Sequence, residues 1–388
     1  MGASRPPLQR ASRVVLLACI LAVASTAAAE AWRWSRSTQH GEQPAAIAAA
    51  TPQSISLTEL SRALIPMPKG VPSAHASALA SLPGSDLIAF WWAGSRESGP
   101  DVKVYASRWS NGRWSDNWEV ASRASLGKVL GFGVRRIGNP VAWTSADGTV
   151  HLYVVTTGLG GWAASRVVQL ASHDQGASFQ VRRVLPMSPL FNTSVLVRAA
   201  PIGLADGGWW LPAYFEIGNK YPMLMAFDAS GTPQRLTRIG SRTQSLQPTL
   251  MPVSATEVRA WMRDAGEERR VQQAFSRDGG NSWEDMDASP MGNEGTALAV
   301  LRLRNGSFLM LRNDGSGDGM ARSTLSLSVS SDAHTWKPLT DIVSGQPGDE
   351  FSYPAMYQVG DELHITYTYQ RRAIAHHRLK INLDKDLL

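Results

Sequence analysis

The 388-residue sequence predicts an all-β fold, a six-bladed β-propeller preceded by an N-terminal signal or anchor segment. Three observations predict it. Thirty-four Gly and 22 Pro punctuate the chain closely enough to disfavour long helices and coiled coils. A short motif recurs: Ser172-His173-Asp174-Gln175-Gly176-Ala177-Ser178-Phe179 matches Ser276-Arg277-Asp278-Gly279-Gly280-Asn281-Ser282-Trp283 in register, and Ser330 to Trp336 is a shortened third copy. Each copy follows an alternating, strand-like stretch such as Val271 to Ser276. With degenerate echoes at Ser107 to Trp114 and Phe227 to Gly231, the anchors near 107, 172, 227, 276 and 330 fall 65, 55, 49 and 54 residues apart. That spacing suits one four-stranded blade each. A chain that is 43% hydrophobic and 18% charged can bury the core this needs.

In chain order, Arg5, Arg10 and Arg13 precede an uncharged apolar run from Val14 to Ala29 that Glu30 ends. The run is shorter than the ~20 residues that span a bilayer comfortably. Ala27-Ala28-Ala29 and Ala29-Glu30-Ala31 supply small-x-small cleavage patterns. Residues 1–31 are therefore read as a cleaved secretory signal first and an uncleaved anchor second, which implies an exported protein, periplasmic or secreted. Cys19 is the single cysteine, so neither an intramolecular disulfide nor a cysteine zinc site is available. Residues 32–56 lack apolar periodicity and read as a linker.

Residues 57–388 carry the blades. Their openings align at His75-Ala76-Ser77, Asn139-Pro140-Val141, Val197-Arg198-Ala199, Gln247-Pro248-Thr249, Gly295-Thr296-Ala297 and Ser352-Tyr353-Pro354. Closure makes the body one domain, with the seam supplied by the Ile374 to Ile381 strand or by Leu57 to Ile65. The formal charge of +6 rests on Arg, since 7 Lys leave 31 Arg among 38 basic residues. No Lys/Arg block marks a nucleic-acid partner. His376 and His377 are adjacent on a predicted strand and so point to opposite faces, with no spaced acidic partners for a metal. No cofactor motif is present.

The octapeptides resemble the Asp box, S-x-D-x-G-x-x-W/F, of the sialidase (neuraminidase) superfamily. Phe351-Ser352-Tyr353-Pro354, His364 to Tyr369 and Leu211 to Glu216 are similar to its BNR repeat-like branch. The resemblance covers roughly residues 70–380. It implies that the Asp of each box is structural, and that blade openings face a pocket where three Arg hold a sugar carboxylate, a Tyr with a helper Glu is nucleophile, and an acidic loop residue protonates the leaving group. Carried over position by position, Glu97 takes the acid position and Arg263 and Arg322 the clamp, with Arg312 the alternative to Arg322. His75 stands where the first Arg would be and could meet a carboxylate if protonated. Gln247 replaces the helper Glu and cannot accept a phenol proton. Strict alignment puts Phe351 on the Tyr position, and a slip of two gives Tyr353, the residue chosen; Tyr367 and Tyr369 are also expected near the pocket. Arg198, Tyr214 and Glu216 are expected to face it, Glu216 as second carboxylate.

The resemblance thus implies a glycoside hydrolase acting on an acidic glycan or exopolysaccharide, with a polysaccharide lyase as the first alternative and a non-catalytic glycan-binding or scaffold propeller as the second. Trp91-Trp92 and Trp209-Trp210 suit sugar stacking, although packing between blades explains such residues equally well. No cofactor is expected, and a membrane is expected only through the N-terminal segment.

Overall fold

The computed structural model describes residues 7–35, 54–187, 192–315 and 319–384. Six antiparallel sheets follow one another along the chain. Their innermost strands are Ser73–Ser81, Arg136–Thr144, Val195–Val197, Ser245–Pro252, Ala299–Arg302 and Phe351–Val359, for blades 1 to 6. Neighbouring blades pack through these strands, and blade 6 returns to blade 1, so the ring closes.

Closure uses both segments named as candidates for the seam. Blade 6 takes its outermost strand, Ser54–Leu64, from the N-terminal side of the chain, where it pairs with Ala373–Asp384 from Ser54↔Asp384 to Leu64↔Ala375. The strand starts at Ser54 rather than Leu57, because Ile55 is buried in the core of blades 5 and 6 and draws its neighbours into the ladder. Before the ring lies helix α1 (Pro7–Ser35), whose Ser12–Ala29 stretch has a mean hydropathy of 1.9 and no buried residue. It is compatible with a signal or anchor segment, and it carries Arg33 to Ser35 as helix rather than linker. A second helix, α2 (Arg123–Leu130), is inserted between blades 1 and 2.

The repeated octapeptides are the turns between third and fourth strands. In the first, Asp174 accepts from the Ser178 backbone N–H at 2.9 Å and from the Ser172 hydroxyl at 2.6 Å, while Ser172 Oγ accepts from Gly176 N–H at 2.8 Å. Asp278 repeats the first two bonds with Ser282 and Ser276, and Asp332 accepts from Thr335 N–H at 2.7 Å. The aromatic of each box wedges against the preceding blade: Phe179 on Phe90, and Trp336 edge-on to Trp261. Blade 6 has no such turn because its fourth strand comes from the N-terminal side. That is why five anchors serve six blades. Strand direction places every one of these turns at the end opposite the blade openings, together with Ser54.

Candidate active site

At the opening end, four inner strands carry an irregularity at the same depth: His75/Ala78, Ile137/Pro140, Leu246/Thr249 and Ser352/Ala355. Three of them hold a non-glycine residue at positive φ, namely Ala76 at 60°, Gln247 at 53° and Tyr353 at 55°. Such conformations each cost about 1–3 kcal/mol and cluster where a side chain must be aimed. Here Gln247 and Tyr353 line a cavity of about 180 Å³ together with Trp92, Glu97, Asn139, Trp162, Tyr214, Glu216 and Arg263, and His75 packs against Tyr353. The channel below it narrows to about 40 Å³, walled by Ala78, Ala142 and Leu298 among others.

Tyr353 is the centre of the arrangement. Its ring lies 4.2 Å from that of His75, and the guanidinium carbons of Arg198 and Arg322 sit 5.0 and 6.0 Å from it. Gln247 Nε2 reaches both the Tyr214 hydroxyl at 3.4 Å and the Tyr353 hydroxyl at 3.5 Å. Phe351, the strictly aligned position, is instead buried against Tyr367 and Tyr369 in the core of blades 5 and 6. The irregularity at Ser352/Ala355 shifts which residue turns inward, and alignment by spacing does not register it. Tyr367 and Tyr369 line a separate cleft between blades 5 and 6. Tyr367 is held by the His377 ring at 3.0 Å.

Buried donors and acceptors without partners surround Tyr353. Arg263 Nε and Gln247 Oε1 belong to residues lining the cavity, Arg198 Nε to a residue lining the channel below, and His75 Nδ1 to the ring 4.2 Å from that of Tyr353. A buried polar group left unpaired is costly, and in a pocket it marks where a ligand's polar atoms belong. Arg198 spends one N–H on the Pro354 carbonyl at 2.7 Å. Burial pulls its pKa down to about 10, which leaves it charged at neutral pH. Arg322 donates to Glu350 at 2.7 Å. Arg312 is tied to Asp314 and to the Gly292 and Asn313 carbonyls, and does not line the cavity.

His75 departs from expectation. Burial pushes its pKa well down, and the charges of Arg371, Arg322 and Arg198 push in the same direction, so the ring is neutral and is no cationic clamp. Glu97 lines the cavity as expected, half-exposed at its rim and ion-paired with Arg371. Glu216 is the carboxyl with acid character, since burial raises its pKa against the opposing pull of Lys220 and Arg263. Burial likewise raises Tyr214, with Tyr353 and Glu216 adding to it. Of the tryptophans, Trp91, Trp209 and Trp210 are wholly buried in blade packing and offer no stacking surface; Trp92 forms part of the cavity wall.

Sequence reading assigned no role to Arg371, Glu350 or Trp162. Arg371 Nε donates to Glu350 at 2.6 Å, so the Glu350 carboxylate bridges Arg322 and Arg371. Burial works to raise the Glu350 pKa, but the Arg371 hydrogen bond and the Arg322 charge outweigh it and hold the carboxyl below its ordinary value. Arg371 lies in a hairpin turn at φ 50°, with no periodic pattern to place it; the Arg371-Arg372 pair at that turn was the available signal. Trp162 packs on Gly138 so closely that an added Cβ there would lie 2.8 Å from its ring, and only glycine fits. His376 and His377 do face opposite ways, to His364 and Trp114 on one side and Tyr367 and Arg62 on the other.

Comparison with solved structures places these features in a known architecture. A protein of unknown function from Dyadobacter fermentans superposes with a TM-score of 0.66 at 15% identity, over 84% of this chain and 100% of that one. A Hadza microbial sialidase gives 0.64 at 14% identity, over 81% of this chain and 66% of that one. The Trypanosoma rangeli sialidase, solved in complex with sialic acid, gives 0.62 at 12% identity over 86% of this chain. This chain spans only 60% of that sialidase's length. At such identities the likeness is one of fold. No curated protein matches. Residues 85–365 match the BNR repeat-like domain, and on that match, over most of its length, the chain belongs to the BNR repeat-like family of sialidase-like propellers.

Proposed function

We propose that this chain is an exported enzyme that cleaves a glycosidic bond in an acidic glycan, as a sialidase-like glycoside hydrolase. One observation carries the reading: the buried, partnerless guanidinium Nε of Arg263 belongs to the cavity that Tyr353 lines, and that of Arg198, on the channel below, belongs to a guanidinium 5.0 Å from the Tyr353 ring. Charged donors fixed in a partly dry site suit a carboxylate, and a phenol suits attack beside an anion better than a carboxylate would. In this reading Tyr353 Oη bonds to the anomeric carbon as the bond to the leaving oxygen breaks. Glu216 gives its proton to that oxygen. The phenol proton passes to neutral His75, since Gln247 cannot take it. Water then displaces Tyr353, giving one proton to the Glu216 carboxylate as its oxygen bonds to the anomeric carbon, while the departing phenolate takes its proton back from His75. Glu97 stays at the rim under Arg371, and Tyr214 with Gln247 orients Tyr353.

A second reading, a polysaccharide lyase on a uronate, is favoured by the same neutral His75 against Tyr353, since a base and a phenol beside arginines also suit removal of a proton next to a carboxylate. Incubating the protein with a panel of acidic glycans and their carboxyl-reduced counterparts, with products read by mass spectrometry, tests both. The proposal expects water-added products from acidic glycans alone. Unsaturated, water-eliminated products would establish the lyase. Binding without turnover on every acidic glycan would leave a non-catalytic glycan-binding propeller.

A further inference from the structure

Beside the Tyr353 cavity lies a wider groove of about 820 Å³, built where α2 and the Gly131 to Val134 segment pass over Pro100 to Lys103. The two spaces adjoin along the chain: Pro100 follows the rim residue Glu97, and Val134 precedes the lining residue Ile137. The groove is rigid at its base, because Arg123 donates to the Val134 carbonyl at 3.0 Å and to the Pro100 carbonyl at 2.6 Å. A capping box at Ser122 fixes the start of α2. Its wall is cationic. Lys103, Arg123 and Lys128 line it against a single acid, Asp101. Of the acids nearby, Asp101 is held by the Ser95 backbone and hydroxyl, and Glu119 is paired with Lys103. Phe132, with Arg166 over its ring at 5.5 Å, adds an apolar surface suited to a sugar face.

We propose that this groove is a second saccharide subsite, taking an acidic sugar further along the chain whose reacting residue occupies the Tyr353 cavity. It rests on the proposed function and adds to it that the natural substrate is a polymer. Charge complementarity, and linings that come within three residues of each other along the chain, favour that occupant over any uncharged glycan.

The test is calorimetric, on full-length Tyr353→Phe protein, with size ladders of oligogalacturonate and of oligosialic acid. Binding should tighten about tenfold from monosaccharide to tetrasaccharide on one ladder, a modest gain for one added contact region. Gly133→Leu should remove the gain by filling the groove, since a Cβ at Gly133 meets nothing within 4 Å and the fold has room for it. Lys128→Glu, a change at an exposed helical position, should reduce the gain about threefold with no effect on folding. Monosaccharide affinity should be unchanged in both. A monosaccharide that binds with no gain from length overturns the subsite and leaves the proposed function standing. So does a gain that survives both substitutions, or single-stranded DNA binding as tightly as the tetrasaccharide. If no member of either ladder binds, the proposed function falls and the subsite with it.

Discussion

Tyr353 stands where one aromatic ring, two guanidinium groups and an amide converge, and its surroundings make opposite demands on two titrating neighbours. Burial and the charges of Arg371, Arg322 and Arg198 keep His75 neutral. Burial keeps Glu216 protonated above the ordinary carboxyl range. Lowering His75 and raising Glu216 favours the base form of one and the acid form of the other at the same pH, which gives a bell-shaped rate profile, with His75 losing its base function on the acid side and Glu216 its proton on the alkaline side. Replacing Arg371 by Gln removes a cation that depresses His75, so the acid limb of kcat/KM should move to higher pH; an unmoved limb would show that His75 does not set it. Glu216→Gln should lower kcat by roughly 10²–10⁴-fold and abolish the alkaline limb, measured on the same substrate. Folded His75 binds its proton more weakly than the unfolded chain does. Its protonation below the ordinary histidine value of 6.5 therefore works against the fold, and stability falls as the solution is acidified. These environments were only partly legible in the sequence. The residue types at 75, 216, 247 and 353 pointed to the pocket, but whether His75 is charged depends first on its burial and then on Arg371, which sits in a turn far along the chain.

The elements divide into those that local pattern specifies and those that it does not. The Asp-box turns belong to the first kind, because every bond is made within five residues and the glycine, acid and aromatic announce themselves. Gly176 lies at φ 86°, and a Cβ there would come within 2.4 Å of Ile88 Cδ1 in the preceding blade. Gly176→Ala should therefore destabilise the protein by about 2–3 kcal/mol while leaving kcat unchanged, seen as a Tm lowered by several degrees. An unaltered Tm would mean that the turn is not packed as described. The inner strands belong to the second kind. Their periodicity is that of an ordinary strand, yet an extra residue at Ser352/Ala355 turns Tyr353 rather than Phe351 to the axis. Alternation along a strand cannot reveal a bulge, since the signal it disturbs is the one being read.

At the scale of the whole molecule, ring closure is the controlling fact. Six sheets share one axis, and the last is completed by Ser54–Leu64, so the chain's first strand locks its last blade. A protein starting at Ser54 should fold, whereas one starting at Pro66 should lose cooperative unfolding or precipitate; equal melting of the two would contradict the seam. Blade number was legible because five turns recur at near-equal spacing. Both strands of the seam were named as candidates, but their pairing with each other was not legible, because nothing local links two strands so far apart in sequence. Ser54 lies at the end of the ring opposite the Tyr353 cavity. The central claim is that this cavity performs chemistry through Tyr353. The most direct measurement compares products formed from acidic glycans by the wild-type protein and by Tyr353→Phe, in the same assay and with equal Tm. Water-added product from the wild type, reduced about a thousandfold or more in the variant, is the result expected. Equal turnover by the two proteins would contradict it.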